Sequence, residues 1–338
     1  MTNPVRLGIV AIGRNEGTHL RDCLASCTSQ TTHVVYVDSG SSDGSLEIAE
    51  RIGVTAIALD PSQPFSAARA RNEGFAHLRA MSPDIEFAQF IDGDCALAEG
   101  WCQASVAIMD AHPEAAIVCG RLREKHPEAS VYNRLCDLEW HQQPGETDRV
   151  GGIFMVRAQI FADVEGFNTS VVAGEEPEMC LRIRRIGCKI LRIGEDMAWH
   201  DAAMMEFGQW HRRMVRSGHA YAQGAALHGL GPEKFCLREC ASIWLWALAL
   251  PLLLTSLAIL ASKWFALGFL AYALQTLRTA RGSRHLADRS QDAWIYAVAC
   301  MVAKFPELVG QWTFMTRALR GKKPTIIEHK LPPSSHET

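Results

Sequence analysis

The chain has 338 residues, and its 34 Lys and Arg nearly balance its 37 Asp and Glu, for a formal net charge of -3. It lacks the basic excess of nucleic-acid-binding proteins, so we expect no nucleic-acid partner. Its eleven cysteines show no repeated Cys-x-x-Cys spacing and no accompanying histidine cluster, which argues against a zinc site and predicts free thiols.

The first half of the chain alternates short apolar segments with segments of helical composition. Strands are predicted at 6–12, 33–37, 56–59, 86–91 and 116–119, and helices at 18–27, 45–53 and 67–81. This alternation predicts an α/β fold with a Rossmann-like, mixed but mainly parallel sheet covered by helices. Ligands of such sheets bind beyond the carboxyl ends of the strands.

Polar clusters follow the predicted strands at that edge. Gly13-Arg14-Asn15-Glu16 follows the first strand, and the small, polar loop from Asp38 to Gly44 follows the second. The Asp38 carboxylate is suited to accept a hydrogen bond from a nucleobase. The alternative is an ordinary strand-to-helix loop in which Asp43 or Ser45 caps the helix.

The fourth strand ends at Asp92-Gly93-Asp94. The glycine permits a turn that places the two carboxylates together. Such a pair can bind Mg²⁺ or Mn²⁺, and the ion can then bridge the phosphates of a substrate. The alternative is an Asp-Gly turn that closes a hairpin. Before this strand, Arg71 lies one turn into the helix at 67–81, where a guanidinium can bind phosphate oxygens or simply face solvent.

A second acidic cluster contains Glu175, Glu176 and Glu178, with Pro177 predicted at the start of a helix. The helix dipole also favours acidic residues at a helix start, but three glutamates within four residues are more than this effect requires. Glu176 would project from the loop-to-helix junction into a cleft.

Two further segments have candidate roles in the second part of this region. Gly151-Gly152 predicts a flexible segment before a strand that lines an acceptor pocket. His200 follows the strand-like segment 197–199, and it is either a third metal ligand beside Asp94 or a structural histidine.

The composition changes near residue 240. Residues 241–262 contain no charged side chain and are long enough to span a bilayer, and 264–277 form a second apolar segment of a candidate hairpin. Arg278, Arg281, Arg284 and Arg289 then predict a return to the cytoplasmic side. Residues 292–320 predict an interfacial amphipathic helix. The alternative is a buried helical core.

We therefore predict three parts of the chain. Residues 1–235 form a catalytic domain, 236–320 form a membrane-associated helical region, and 321–338 form a polar tail.

Taken in order, these motifs resemble the family 2 glycosyltransferases with a GT-A fold, over about residues 5 to 220. The resemblance is carried by the segments 12–16, 38–44, 70–74, 92–94, 151–152 and 175–178, with Arg182. The segment Gln209-Trp210-His211-Arg212-Arg213 does not match the Gln-x-x-Arg-Trp signature of processive members.

The resemblance implies a nucleotide-sugar donor, a divalent metal and inversion at the anomeric carbon. It implies that Asp38 contacts the base, Asp92 lies near the ribose or sugar, Arg71 lies near the diphosphate and Asp94 binds the metal. The implied donor-binding residues are Ile12, Arg14, Asn15, Glu16, Asp38, Ser41, Arg71, Asp92 and Asp94. The family's catalytic Glu-Asp pair corresponds to Glu175-Glu176, which implies Glu176 as the general base, with Glu175 or Glu178 as alternatives. Gly151, Gly152 and Glu178 are implied on the acceptor side.

We therefore predict transfer of a sugar to a lipid-linked or saccharide hydroxyl acceptor, in envelope polysaccharide or glycolipid synthesis, at the cytoplasmic face of the inner membrane. A nucleotidyltransferase is one alternative, but residues 13–17 poorly match its Gly-rich phosphate loop. A non-catalytic, membrane-tethered nucleotide-sugar binding scaffold is the other, and it would be expected to lack either Asp94 or the carboxylates at 175–178.

Overall fold

The structure is a computed structural model that describes residues 6–286 and 289–321. These residues form two compact units. The first unit covers 6–126, 140–170 and 175–202, and the second covers 127–139, 171–174, 203–286 and 289–321. Asp288 and the predicted polar tail beyond Gly321 lie outside the described residues. The predicted domain boundary at residue 235 stays a prediction.

The first unit contains a nine-stranded sheet. Its strands are β1 (Leu7–Gly13), β2 (Val34–Asp38), β3 (Thr55–Ala58), β4 (Phe87–Asp92), β5 (Cys95–Leu97), β6 (Ala115–Glu124), β7 (Gly145–Glu146), β8 (Phe154–Arg157) and β9 (Lys189–His200). All five strands predicted from the first half of the sequence are present. The strand order is β3-β2-β1-β4-β8-β6-β9-β5, with β7 paired to β9. The first four strands in this order are parallel, and β8 pairs antiparallel with both β4 and β6.

Twelve α-helices are found in the described part of the chain. They are α1 (Thr18–Thr28), α2 (Ser45–Ile52), α3 (Ala67–Met81), α4 (Trp101–Ala111), α5 (Val131–Trp140), α6 (Ala158–Asp163), α7 (Glu175–Arg185), α8 (Phe207–His228), α9 (Leu237–Trp244), α10 (Leu250–Leu260), α11 (Leu270–Gly282) and α12 (Ser290–Leu319). The core of the first unit consists of buried apolar side chains from the central strands and the helices that cover them. This burial supplies the main favourable free energy that holds the strand ends in place.

The carboxyl ends of three parallel strands lie side by side. In the strand register, Gly13 is opposite Asp38 and Ile12 is opposite Asp92. The loops that follow β1 and β2 are then connected, since the Asn15 amide donates to Ser41 Oγ at 2.9 Å. The predicted polar clusters therefore meet at one edge of the sheet.

The Asp92-Gly93-Asp94 turn does not close a hairpin, so that alternative is wrong. β4 pairs with β1 and β8, whereas β5 pairs with β9. The Gly93 amide donates to the Ile12 carbonyl at 2.7 Å, which directs the chain away from β4.

The helices of the second unit include a close crossing of α8 and α12. A Cβ added at Gly218 would lie 1.9 Å from the Glu307 carbonyl oxygen, and one at Gly310 would lie 2.0 Å from the Val215 carbonyl oxygen. Only glycine allows the two backbones to approach this closely.

Two helical segments of the second unit are long and apolar enough to cross a membrane, namely Leu237–Leu260 and Ser290–Leu319. The first runs from α9 through a π-helical segment, Leu245–Ala249, into α10. The predicted second arm of the hairpin at 264–277 begins instead in a 3-10 segment, Lys263–Phe269, before α11. Length and apolar composition make these helices suitable for a membrane-associated region.

Candidate active site

A buried arginine on α3 connects three carboxylates from β4 and α7. Arg71 donates to Asp92 Oδ1 at 2.8 Å, Glu176 Oε1 at 3.0 Å and Glu175 Oε1 at 3.2 Å. Its guanidinium also lies over the Phe167 ring, 5.4 Å from the centroid. Burial lowers the pKa of Arg71, but the three carboxylates outweigh this effect and raise it above its ordinary value. The guanidinium therefore stays charged and connects the cluster.

Glu176 is the most accessible of the three glutamates in the first turn of α7. Its side chain is 14% exposed, against 4% for Glu175 and 3% for Glu178. Burial, followed by the charge of Glu175, raises the pKa of Glu176 to about 7, whereas Arg71 opposes the rise. A carboxyl group with a pKa near neutrality is matched to proton transfer at neutral pH.

The other two glutamates have more enclosed surroundings. Glu175 Oε2 is buried and has no hydrogen-bond partner within residues 6–286 and 289–321. Glu178 forms an ion pair with Arg182, whose Nη2 lies 2.8 Å from Glu178 Oε2 and also donates to the Gly166 carbonyl at 2.7 Å. This pairing joins α7 to the turn after α6. The structure thus places Glu178 in a contact that stabilises the fold.

Asp38 is buried at the end of β2 and is surrounded by donors. It accepts hydrogen bonds from the Gly40 amide at 2.9 Å, the Ser41 amide at 2.7 Å and the Tyr36 hydroxyl at 3.0 Å, and it also accepts from Ser41 Oγ. Burial and the Asp38 charge raise the pKa of Tyr36, so this phenol stays protonated and donates. The carboxylate therefore shapes the loop, and its contact with a base stays a prediction.

The loop after β1 is held against this second loop. Asn15 has a left-handed backbone with φ of 56°, and its Oδ1 accepts from the Ser42 amide at 2.8 Å. The Gly17 amide donates to Asp43 Oδ2 at 2.8 Å. Arg14 lies over the Phe65 ring, 5.8 Å from its centroid. The predicted donor-binding residues of both loops therefore share one edge, next to Ile12 and Asp92.

Asp94 points towards a different set of side chains from Asp92. Its Oδ2 lies 3.1 Å from His200 Nε2, so the two residues predicted as metal ligands are in contact, and their binding of a metal stays a prediction. Cys95 Sγ donates to Asp94 Oδ1 at 3.1 Å, and the ligand atoms of all three residues lie within 4.8 Å of one another. A carboxylate, an imidazole and a thiol at these distances form a donor set that fits one divalent cation.

Two residues near this cluster were missed by the sequence analysis. Cys95 directly follows Asp94, which was a usable signal. Glu124 Oε2 lies 3.8 Å from His200 Nδ1, but β6 was predicted to end at residue 119, so no local pattern indicated Glu124. The Trp140 ring also contacts His200 edge-on, with the ring centroids 4.8 Å apart.

Gly152 lies directly against the arginine cluster. A Cβ added there would lie 2.5 Å from Asp92 Oδ2 and 2.6 Å from Arg71 Nη2, whereas a Cβ at Gly151 would meet no atom of the described residues within 4 Å. The two glycines, predicted together on the acceptor side, therefore have different roles. Gly152 permits the close approach of the backbone to the carboxylates.

The mixed, mainly parallel sheet and the helices that cover it form a GT-A-like fold. Residues 9–164 match the family model described as glycosyl transferase family 2, and this confirms the resemblance and the fold class predicted from the sequence. A search of curated protein sequences finds no match.

Three solved structures align with parts of this chain. The mannosyltransferase PcManGT from Pyrobaculum calidifontis, in complex with GDP-Man and Mn²⁺, aligns with 18% identity and a TM-score of 0.59 over 92% of this chain and 88% of that one. S. aureus TarS 1-349 aligns with 11% identity and a TM-score of 0.48 over 94% and 92%. GalNAc-T7 with UDP, GalNAc and Mn²⁺ aligns with 14% identity and a TM-score of 0.48 over 68% and 52%. The first of these supports the same fold.

We predict that Gly152→Ala destabilises the first unit and Gly151→Ala does not. Overpacking beside Arg71 and Asp92 should lower the free energy of unfolding by about 1–3 kcal/mol. The open position at Gly151 should tolerate alanine within about 0.5 kcal/mol. Denaturant unfolding of both variants measures the difference, and equal stability of the two would contradict the described contacts.

Proposed function

We propose that this chain is an inverting glycosyltransferase that moves a sugar from a nucleotide-diphosphate sugar to a hydroxyl acceptor. The observation that carries the proposal is the cluster in which Arg71 holds Glu176 beside Asp92, at the end of β4 and two residues before Asp94. Its position at the carboxyl edge of the sheet is where α/β folds bind their ligands. The structurally similar PcManGT holds GDP-Man and Mn²⁺, which supports a nucleotide-sugar donor.

Glu176 serves as the general base in this proposal. Its carboxylate takes the proton of the acceptor hydroxyl as the oxygen attacks the anomeric carbon. A pKa of about 7 leaves a large fraction of Glu176 ionised at neutral pH and keeps it basic enough to accept the proton. In a single displacement the acceptor attacks opposite the departing diphosphate, and the configuration is therefore inverted.

Asp92 and Asp94 serve the donor side. Asp92 presents a partly exposed carboxylate to the ribose or sugar, while Arg71 orients it. Asp94 and His200 would hold a divalent ion, Mg²⁺ or Mn²⁺, and this ion, when bound, neutralises negative charge on the departing diphosphate. The loops at 12–16 and 38–44 would contact the nucleoside.

The second unit offers a surface for a membrane. Along α12, exposed apolar side chains recur every three or four residues, at Trp294, Val298, Val302, Phe305, Val309, Trp312, Met315 and Leu319. This spacing places them on one face of the helix, over about 37 Å of its length. Arg278, Arg281, Arg284 and Arg289 add positive charge that attracts anionic headgroups. We therefore propose a lipid-linked or saccharide acceptor of envelope or glycolipid synthesis, at the cytoplasmic face of the inner membrane.

The purified protein should release nucleoside diphosphate from one member of a panel of nucleotide sugars, and this release should require Mn²⁺ or Mg²⁺. Glu176→Gln should keep donor binding and lower turnover by roughly 10²- to 10⁴-fold, because the amide cannot accept the proton. Calorimetry measures binding, and product analysis measures turnover and anomeric configuration.

The exposed Glu146→Gln is the matched control for the loss of a carboxylate outside the site, and it should keep full turnover. Parallel loss of donor affinity and turnover in Glu176→Gln would contradict its assignment as the base. If no member of the panel releases nucleoside diphosphate with either ion, the non-catalytic scaffold becomes the better explanation.

The rate of sugar transfer should decrease as the pH falls through about 7, because protonation of Glu176 removes the base. The Arg71 charge lowers the pKa of Glu176, so Arg71→Gln should raise that pKa and move the acidic limb of the pH profile up by roughly 1 to 3 pH units. Rate measurements from pH 5 to 9 on saturating donor test this shift.

Arg69→Gln is the control on the same helix, since Arg69 pairs with Glu73 outside the cluster. The acidic limb of the Arg69→Gln profile should remain at the wild-type pH. Arg71→Lys keeps a positive charge, so its acidic limb should lie between those of the wild-type protein and Arg71→Gln. An unchanged limb in a folded, active Arg71→Gln protein would refute the electrostatic coupling.

The full-length protein should float with vesicles that contain phosphatidylglycerol and float less well at high salt. Val298→Asp combined with Val309→Asp should lower the bound fraction by roughly tenfold or more, because burial of one valine contributes about 1.5 kcal/mol or more. Met81→Asp is the control, since Met81 is an exposed apolar residue of the first unit. Equal binding of all three proteins would contradict the assigned surface.

A further inference from the structure

The cysteine that follows Asp94 faces the same point in space as the candidate metal ligands. Cys95 begins β5 and lies directly opposite His200 in the antiparallel pairing with β9. Directly opposed residues project to the same face of a sheet, with their Cβ atoms about 5 Å apart. Asp94 precedes this pair at the turn. The backbone therefore brings a carboxylate, a thiol and an imidazole together.

The atoms of these side chains are close enough to bind a single ion. Cys95 Sγ lies 3.1 Å from Asp94 Oδ1, and His200 Nε2 lies 3.1 Å from Asp94 Oδ2. All three ligand atoms are within 4.8 Å of one another. Ligand bonds to zinc are about 2.0 Å to nitrogen or oxygen and about 2.3 Å to sulfur, so two ligands of one ion lie at most about 4.5 Å apart. The two distances of 3.1 Å to Asp94 are within this limit, and the outer bound of 4.8 Å for all three atoms is slightly above it.

His200 lies between a buried carboxylate and an aromatic ring. Its Nδ1 lies 3.8 Å from Oε2 of the buried Glu124, which the Ala202 amide holds in place at 3.0 Å. A carboxylate that accepts a hydrogen bond from the second ring nitrogen is the usual partner of a histidine ligand. At 3.8 Å, Glu124 is close enough for a charge interaction with His200 but too far for that hydrogen bond. The edge of the Trp140 ring restrains the imidazole further. These contacts direct Nε2 towards Asp94 and Cys95.

We propose that Cys95 is a third protein ligand of this ion, and that the site therefore binds a first-row transition-metal dication in preference to Mg²⁺. The inference rests on the proposed function, since it concerns the ion held by Asp94 and His200. Mg²⁺ takes oxygen ligands and keeps several waters, whereas imidazole and thiolate favour transition metals. On binding, the Cys95 thiol releases its proton to solvent and the thiolate sulfur forms the bond to the ion. No oxidation accompanies the step.

Cobalt(II) bound to the full-length protein tests the ligand directly. With GDP or UDP present, the wild-type protein should show a thiolate-to-cobalt charge-transfer band in the near ultraviolet. Cys95→Ser should lose this band and should bind Co²⁺ roughly tenfold or more weakly, while its Mg²⁺ affinity changes little. Cys102→Ser is the matched control, because Cys102 is a buried thiol outside the ligand group, and its band should be retained.

The charge-transfer band of the wild-type protein tests the thiolate ligand without any variant, so the test remains valid even if Cys95→Ser misfolds. The wild-type protein could show visible cobalt bands but no charge-transfer band, and Asp94→Ala could abolish the visible bands. That result would overturn the role of Cys95 and leave the metal site intact. Equal affinities of the wild-type protein for Mn²⁺ and Mg²⁺ would overturn the selectivity. Absence of cobalt binding with both nucleotides, together with no release from any donor, would instead overturn the proposed function.

Discussion

A guanidinium removed from water must be paired, because its lost hydration is a large free-energy cost. Arg71 meets this requirement with carboxylates from β4 and from the first turn of α7. Loss of one partner of a buried pair typically costs about 3–5 kcal/mol, so α3, β4 and α7 are held in one arrangement. The same contacts place Glu176 next to Asp92. Fold stability and active-site geometry therefore depend on one side chain.

The turn at Gly93 divides the end of β4 between two clusters. Asp92 is still paired in the strand and faces Arg71, whereas Asp94 lies beyond the turn and faces His200. This separation exists because β5 leaves β4 and pairs with β9. Two aspartates separated by one residue thus contact different side chains. A hairpin at the same position would have directed both towards β4.

Local patterns predicted the strands, the first helices and the edge at which the polar loops meet, because apolar periodicity and turn residues act over a few positions. A place for His200 beside Asp94 was one of two alternatives predicted for this histidine, the other being a structural role. The carboxylate partners of Arg71 were not predicted, and neither was the enclosure of Asp38 by its own loop. Both depend on contacts that a single sequence does not encode locally. Cys95 was overlooked because only its spacing to other cysteines was considered.

The charge balance of the arginine cluster indicates how the two halves of the site cooperate. Arg71 carries one positive charge against three carboxylates, so it has little attraction left for a diphosphate. Negative charge brought near Glu176 would raise the pKa of this carboxyl further and lower its ionised fraction at neutral pH. A cation held by Asp94 and His200 would offset that charge without contacting the arginine cluster. In the proposed reaction, the donor phosphates and the Glu176 carboxylate can then be close together, because each negative charge has its own counter-charge.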